Sequence, residues 1–344
     1  MSSTNATNIQ DFAFASGGVR LCGTLERPSQ GETVGSVLLL SGSGPQDRDE
    51  SIAGKKPFAV LSRALVNWGF QVFRWDDRGV GESGGDYLAA SELHLAGDVI
   101  SAMLALGQET GFDKHLLVGH SQGALIAAAA AAKHPVAVAG IILLAGIGLP
   151  GRQSLIDQHL NMCKAEGWAD SDIQQSLPQK EALFDILLEA QSRIDAGESA
   201  TSVLQDLETN LLEAFLGDLA LSELSDEERL EVESTIEDLL EWEWRYLLQV
   251  DPATDLQKVL CPVLAVCGDK DAQVQAQRNL ARIKDACASG GAASITVSVV
   301  ADNNHLFQKT STAALSEYEV LGEPFCEDVL STIRSWLNVE ILSS

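Results

Sequence analysis

The stretch His115-Leu116-Leu117-Val118-Gly119-His120-Ser121-Gln122-Gly123, continued by Ala124-Leu125-Ile126 and a run of alanines to Ala132, decides the fold. Its opening is a short apolar run of the kind that a strand covered on both faces shows. Its continuation is rich in strong helix formers and stops at Lys133, just before His134 and Pro135. Between the two, a G-x-S-x-G pattern must turn the chain from strand to helix within a few residues. A serine on so sharp a turn is held in a strained backbone conformation, and only small neighbours, here Gly119 and Gly123, leave room for it. The turn projects the Ser121 hydroxyl beside the free N–H groups and positive dipole end of the new helix. A five-residue pattern arises by chance, and a serine after a strand can simply cap a helix. The strand before it and the helix after it make Ser121 a candidate nucleophile.

Outward from this turn, strand and helix signals alternate. Upstream, Phe12–Ser16 and Val19–Glu26 flank a Ser16-Gly17-Gly18 hairpin turn, and Ser36–Leu40 is a buried strand. Phe58–Trp68 has helical spacing, Phe70–Trp75 reads as a strand, and Glu92–Leu106 as a helix ended by Gly107. Downstream, Gly140–Ala145 is another strand. The pattern then breaks, and the residues between Pro150 and about Val250 show only Leu- and Glu-rich helical stretches. The segment from Glu181 to Arg245 carries 19 acidic and 3 basic residues, which reads as the solvated face of amphipathic helices. Apolar residues there, including Leu183, Phe184, Ile186, Leu187, Trp242 and Trp244, are expected to face the rest of the protein. Alternation resumes with strand Val263–Cys267, helix Gln275–Ala288, strand Ser294–Val300 and helix Glu327–Leu337. The expectation is an α/β fold: one core built from 1–149 and 251–344, with a mostly parallel sheet between helices, and a helical cap inserted at 150–250.

The 344 residues are 45% apolar and 21% charged, an ordinary globular composition. Only 23 basic residues stand against 49 acidic ones, a net charge of −26. Such a field repels phosphate backbones and anionic lipid headgroups, so neither nucleic acid nor a membrane is an expected partner. The first residues lack a basic and then apolar leader pattern, and the most apolar stretch is divided by Lys133, His134 and Pro135. The six cysteines (Cys22, Cys163, Cys261, Cys267, Cys287, Cys326) form no CxxC pair and have no histidine at metal-ligand spacing. They read as reduced thiols of a cytoplasmic protein with no metal. Oligomeric state is left open, a homodimer included.

A serine hydroxyl needs a base, and the base an orienting acid. Of six histidines, His115 opens its strand at the far end, His120 should point away from Ser121, and His134 suits a helix C-terminus. His94 begins a helix and His159 lies in the insertion. His305 alone follows the last core strand, on the polar loop Asp302-Asn303-Asn304-His305. The acid should come from the loop after the preceding strand, Gly268-Asp269-Lys270-Asp271. Both carboxylates qualify, and Asp271 is favoured because the chain needs a residue or two to aim back across the strand ends. Attack on an acyl carbon creates an oxyanion that needs two donors. The Gln122 N–H is one. The Ser43 N–H, in Ser41-Gly42-Ser43-Gly44-Pro45 with Gly42 and Gly44 as shapers, is nominated as the other. Gly79-Val80-Gly81-Glu82-Ser83-Gly84 matches a dinucleotide fingerprint, but Asp76, Asp77 and Glu82 would repel a pyrophosphate, no helix opens there, and Asp98 sits in a helical pattern. Asp76 and Arg78 are expected instead in an ordered loop bordering the site.

These residues resemble the α/β-hydrolase superfamily, and within it bacterial serine carboxylesterases with an inserted cap. The resemblance rests on SGSGPQDRDE (41–50), RWDDRGVGESGGD (74–86), VGHSQG (118–123), LLQVDPATDLQKV (247–259), CPVLAVCGDKDAQV (261–274) and NNHLFQ (303–308). It implies an eight-stranded sheet, no cofactor, and cleavage of small-molecule carboxylic esters through an acyl-enzyme, with Ser121 as nucleophile, Asp271 as acid and His305 as base. Many members carry His-Gly where this chain has Ser41-Gly42. A peptidase, thioesterase or acyltransferase would share the first chemical step, and a non-catalytic binding protein would keep only the pocket.

Overall fold

The computed structural model describes residues 7–199, 202, 203, 206, 207, 210, 225 and 242–343. Eight strands form one sheet in the order β1-β2-β4-β3-β5-β6-β7-β8. They are β1 (Thr7–Ser16), β2 (Val19–Pro28), β3 (Gly35–Leu40), β4 (Phe70–Trp75), β5 (His115–His120), β6 (Val138–Leu144), β7 (Val263–Gly268) and β8 (Ile295–Val300). β2 runs antiparallel to both β1 and β4, and the remaining pairs are parallel. The helices are α1 (Pro57–Asn67), α2 (Glu92–Thr110), α3 (Gln122–Lys133), α4 (Gly151–Ala165), α5 (Asp170–Asp195), α6 (Trp242–Gln249), α7 (Ala253–Leu256), α8 (Ala276–Gly290) and α9 (Glu327–Glu340).

The continuous apolar strands are explained by cover on both faces. Leu38, Leu40, Phe73, Leu117, Leu143 and Ala265 point to one side, where they pack with α2, α3 and α8. Their neighbours Val37, Leu39, Val72, Leu116, Val118, Ile142 and Leu264 point to the other, against α1 and α9. The two-residue alternation of a strand thus feeds two cores at once.

Two sequence expectations are corrected. Helix α2 does not stop at Gly107 but runs to Thr110, and ends at Gly111, which has φ +79° and donates its N–H to Gly107 O at 2.9 Å. Gly107 is inside the helix, at a close approach: a Cβ there would lie 3.1 Å from Phe112 O. The second correction concerns the inserted helices. Leu183, Phe184 and Leu187 are buried, but among themselves, with Leu155, Ala190, Leu247 and Leu248; Leu125 of α3 is their buried contact from the main core. The insertion therefore carries its own small apolar cluster. The Trp242 and Trp244 side chains, and most of 200–241, lie outside the described residues. No helix among the described residues is long and apolar enough to cross a membrane.

Candidate active site

Register brings the chemistry to one edge. Leu40 pairs with Gly119, His120 with Leu144, and Gly268 with Val300, so β3, β5, β7 and β8 end together and their following loops share one crevice, where open α/β sheets hold their ligands. At the end of β5, Ser121 has φ 53° and ψ −118°, a conformation that costs of order 1–3 kcal/mol. The surroundings hold it: Ser121 N–H donates to Leu144 O at 2.8 Å. Both glycines of the turn are obligatory, since a Cβ on Gly119 would lie 2.1 Å from Gly123 O, and one on Gly123 would lie 2.2 Å from Leu40 O.

Across the crevice, His305 Nδ1 is 2.8 Å from Asp271 Oδ2, with both side chains buried. The other Asp271 oxygen accepts the N–H groups of Gln273 and Val274 at 2.8 and 2.9 Å. The carboxylate is thus clamped by its own loop, which leaves one oxygen aimed at the imidazole. Asp269 is exposed, and its backbone N–H extends the β7–β8 ladder to Val300 O. Gln122 opens α3, so its N–H has no acceptor within the helix. Ser43, Gly44 and Ser121 line one cavity of about 360 Å³. Gly42 lies close behind, where a Cβ would be 3.4 Å from Ser121 Cβ, and its N–H donates to Glu50 Oε1 at 2.7 Å. Gly42 N–H is therefore already engaged.

The remaining cavity wall comes from the residues between β6 and β7, Ile147, Gly151, Ser154, Leu155, Asp157, Gln158, Leu247 and Val250, together with Gln273, Val274, Gln275 and Asn279. Nothing in the residue spacing distinguished these positions. Asp157 is the one carboxylate among the described lining residues, and it is paired with Arg278.

The discounted histidines lie elsewhere. His115 contacts Ser36 Oγ at 2.9 Å at the far end of the sheet, and burial pushes its pKa down to about 4. His94 caps α2, and His159 contacts Ser176 in the insertion. His120 points away from the cavity and is wholly buried, with Nδ1 2.9 Å from Glu50 Oε1 and Nε2 3.0 Å from His305 O. Glu50 had no signal in the sequence beyond its place in a charged loop. The expectation that Asp76 and Arg78 border the site is corrected: neither lines the Ser121 cavity among the described residues. They stand one layer back, Asp76 bonded to Arg48 and Arg78 to Asp98. That layer supports the 41–50 loop, which itself faces the cavity.

A mostly parallel eight-stranded sheet between helices, with this elbow at the end of its fifth strand, is the architecture of the α/β-hydrolase fold, and the chain has that fold. The family model described as Hydrolase_4, serine aminopeptidase, S33, matches residues 56–220, a span that includes the elbow and ends before Asp271. Esterase EstD of Thermotoga maritima is 26% identical over 157 residues, which are 46% of this chain and 37% of that protein's length. Among solved structures, an esterase of Pyrococcus furiosus superposes with a TM-score of 0.58 at 13% identity, over 96% of this chain and 91% of that one. The proline iminopeptidase of Mycobacterium smegmatis gives 0.56 at 13%, over 97% and 99%. At these identities the structural likeness is one of fold.

Proposed function

We propose that the protein is a serine hydrolase that cleaves carboxylic esters of small molecules. The observation that carries this reading is the Asp271–His305 pair, bonded at 2.8 Å on the loops after β7 and β8, with the His305 carbonyl 3.0 Å from His120 Nε2, next in sequence to a strained, pocket-lining Ser121. Ser121 Oγ attacks the acyl carbon while His305 Nε2 takes its proton. Asp271 holds the ring in the tautomer that leaves Nε2 free and stabilises the imidazolium. The Gln122 and Ser43 N–H groups receive the oxyanion. His305 then returns the proton to the departing alcohol, and water, activated in the same way, releases the acid and restores Ser121. No cofactor enters this scheme.

Ester rather than peptide cleavage is favoured by the cavity. An aminopeptidase needs a carboxylate free to hold the substrate ammonium, whereas Asp157 is neutralised by Arg278 and the rest of the wall is uncharged, with Ile147, Leu155, Leu247, Val250 and Val274 as its apolar part. Such a wall suits an uncharged acyl or alcohol group, and we assign the insertion at 150–250 the role of a cap that sets its size. The six unpaired cysteines support a cytoplasmic location.

Treatment with a fluorophosphonate probe and a panel of nitrophenyl esters, thioesters and amino-acid anilides tests the reading. Wild type should carry the adduct on Ser121 and turn over esters fastest. Ser121→Ala should keep its fold and lose about 10⁴- to 10⁶-fold in kcat. Activity above a tenth of wild type in that variant would remove Ser121 from the mechanism, and faster cleavage of anilides would make the protein a peptidase.

A further inference from the structure

Beside Ser121 lies a buried pair, Glu50 and His120, that the mechanism above does not use. Glu50 has no exposed surface and His120 almost none. Glu50 stands at φ 53° in a tight turn, with its N–H on Asp47 O at 2.9 Å, and the Asp47 carboxylate accepts the N–H groups of Asp49 and Ser51. This turn aims the Glu50 side chain inward, under the loop that carries Gly42 and Ser43. There Oε1 meets two donors, Gly42 N–H at 2.7 Å and His120 Nδ1 at 2.9 Å, while Oε2 meets none among the described residues.

Proton accounting narrows what the pair is. His120 Nε2 faces a backbone carbonyl, His305 O, at 3.0 Å. A carbonyl only accepts, so Nε2 must carry a proton. The Nδ1–Oε1 contact then requires a second proton, held by the imidazolium or by the carboxylic acid. In both forms one proton is shared and three groups are joined: the first oxyanion loop through Gly42, the residue beside the nucleophile, and the backbone of the base. The groups facing the His120 ring are the Glu50 carboxylate, the His305 ring at 4.8 Å between centroids, the Phe307 ring at 6.4 Å and, further off, the Asp271 charge. Burial pushes His120 down, and the Glu50 carboxylate, its hydrogen bond, the His305 carbonyl and Asp271 push it up, with a net upward shift.

We propose that Glu50 and His120 are positioning residues that act as one unit, a proton-sharing brace that holds the oxyanion loop and the His305 backbone in register with Ser121. Asp271 fixes the His305 ring, and the brace fixes the chain that carries it. Small displacements there matter because the reacting atoms must meet at near-attack distance. The proposal rests on the serine-hydrolase reading above.

The test compares wild type, Glu50→Gln, His120→Gln and the double variant in hydrolysis of p-nitrophenyl butyrate and in the rate of fluorophosphonate labelling of Ser121, with circular dichroism to establish folding. Each folded single variant should lose at least about 30-fold in kcat with KM within about threefold, and label more slowly by a like factor. The double variant should lose no more than about threefold beyond the worse single, as expected of residues acting as one unit. A kcat within threefold of wild type in the folded single variants, or losses that multiply in the double variant, would overturn the brace. Should the variants fail to fold, the wild-type protein labelled with ¹⁵N-histidine decides: a slowly exchanging downfield proton in the His120–Glu50 bond at pH 8 that shifts when Ser121 is phosphonylated supports the proposal, and its absence or indifference refutes it. Wild type that neither labels at Ser121 nor cleaves the ester would instead overturn the serine-hydrolase reading, and the brace with it.

Discussion

Asp269 and Asp271 carry the same group two residues apart, and their surroundings give them different capacities. Asp269 is exposed to water. Asp271 is sealed, with one oxygen spent on Gln273 and Val274 N–H and the other on His305. In Asp271→Asn the amide oxygen keeps the two backbone donors, and the NH₂ turns toward His305 Nδ1. The ring must then accept there and carry its proton on Nε2, the wrong tautomer to deprotonate Ser121. We expect kcat to fall by at least about 10³ with little change in melting temperature. Asp269→Asn should stay within about threefold of wild type, measured with the same ester. The reverse pattern would transfer the acid's role to Asp269.

At the level of elements, the two charged loops 41–50 and 74–86 interlock. Arg48 takes Asp76 with two bonds of 3.0 and 2.5 Å, Arg74 takes Asp49 at 2.9 Å, and Asp77 accepts from Ser41 Oγ and Gln46 N–H at 3.0 Å each. Asp76 and Asp77, which would have repelled a pyrophosphate, are thus fasteners of the 41–50 loop. Arg78 makes a buried two-bond pair with Asp98, both contacts at 2.7 Å, which ties this assembly to α2. Removing one partner strands the other charge in a site with little water. Asp98→Ala should therefore lower unfolding stability by about 3–5 kcal/mol in urea titration, and replacing both partners by leucine should cost less than that. A loss below 1 kcal/mol for Asp98→Ala would show that α2 is held by its apolar face alone.

At the scale of the whole molecule, Asp77 contributes to the pH dependence of stability with a sign unusual for a carboxyl. Burial pushes the Asp77 carboxyl from 3.8 up to about 7, against the hydrogen bonds from Gln46 and Ser41, with the Glu50 and Asp98 charges adding to the rise. Between those values the folded state holds a proton that the unfolded chain has released. This group's stabilisation is complete below about pH 3.8 and is lost as pH rises through about 7. Asp77→Asn keeps an acceptor for both donors and removes the titration. Its melting temperature relative to wild type should therefore rise between pH 5 and pH 8, by a few degrees. An offset that is equal at both pH values would show that Asp77 titrates normally. The same sealed layer lies behind Ser121, so its protonation and the support of the site belong to one piece of structure.

Much of this protein was legible in its sequence because the information was local. Buried strands announced themselves as apolar runs, the elbow as two glycines that no larger residue could replace, and the polar loops after the strands as places where Asp271 and His305 could act. Gly107 misled because a helix ends at a glycine only when its φ turns positive, and the need for close packing against Phe112 is invisible in spacing. The tertiary structure alone decided which charges would meet. Glu50 lies 70 residues from His120, and His120 lies 185 residues from His305. Periodicity records which face of an element is buried, whereas partners, cavity walls and shared protons are set by the register that brings distant segments to one edge of the sheet.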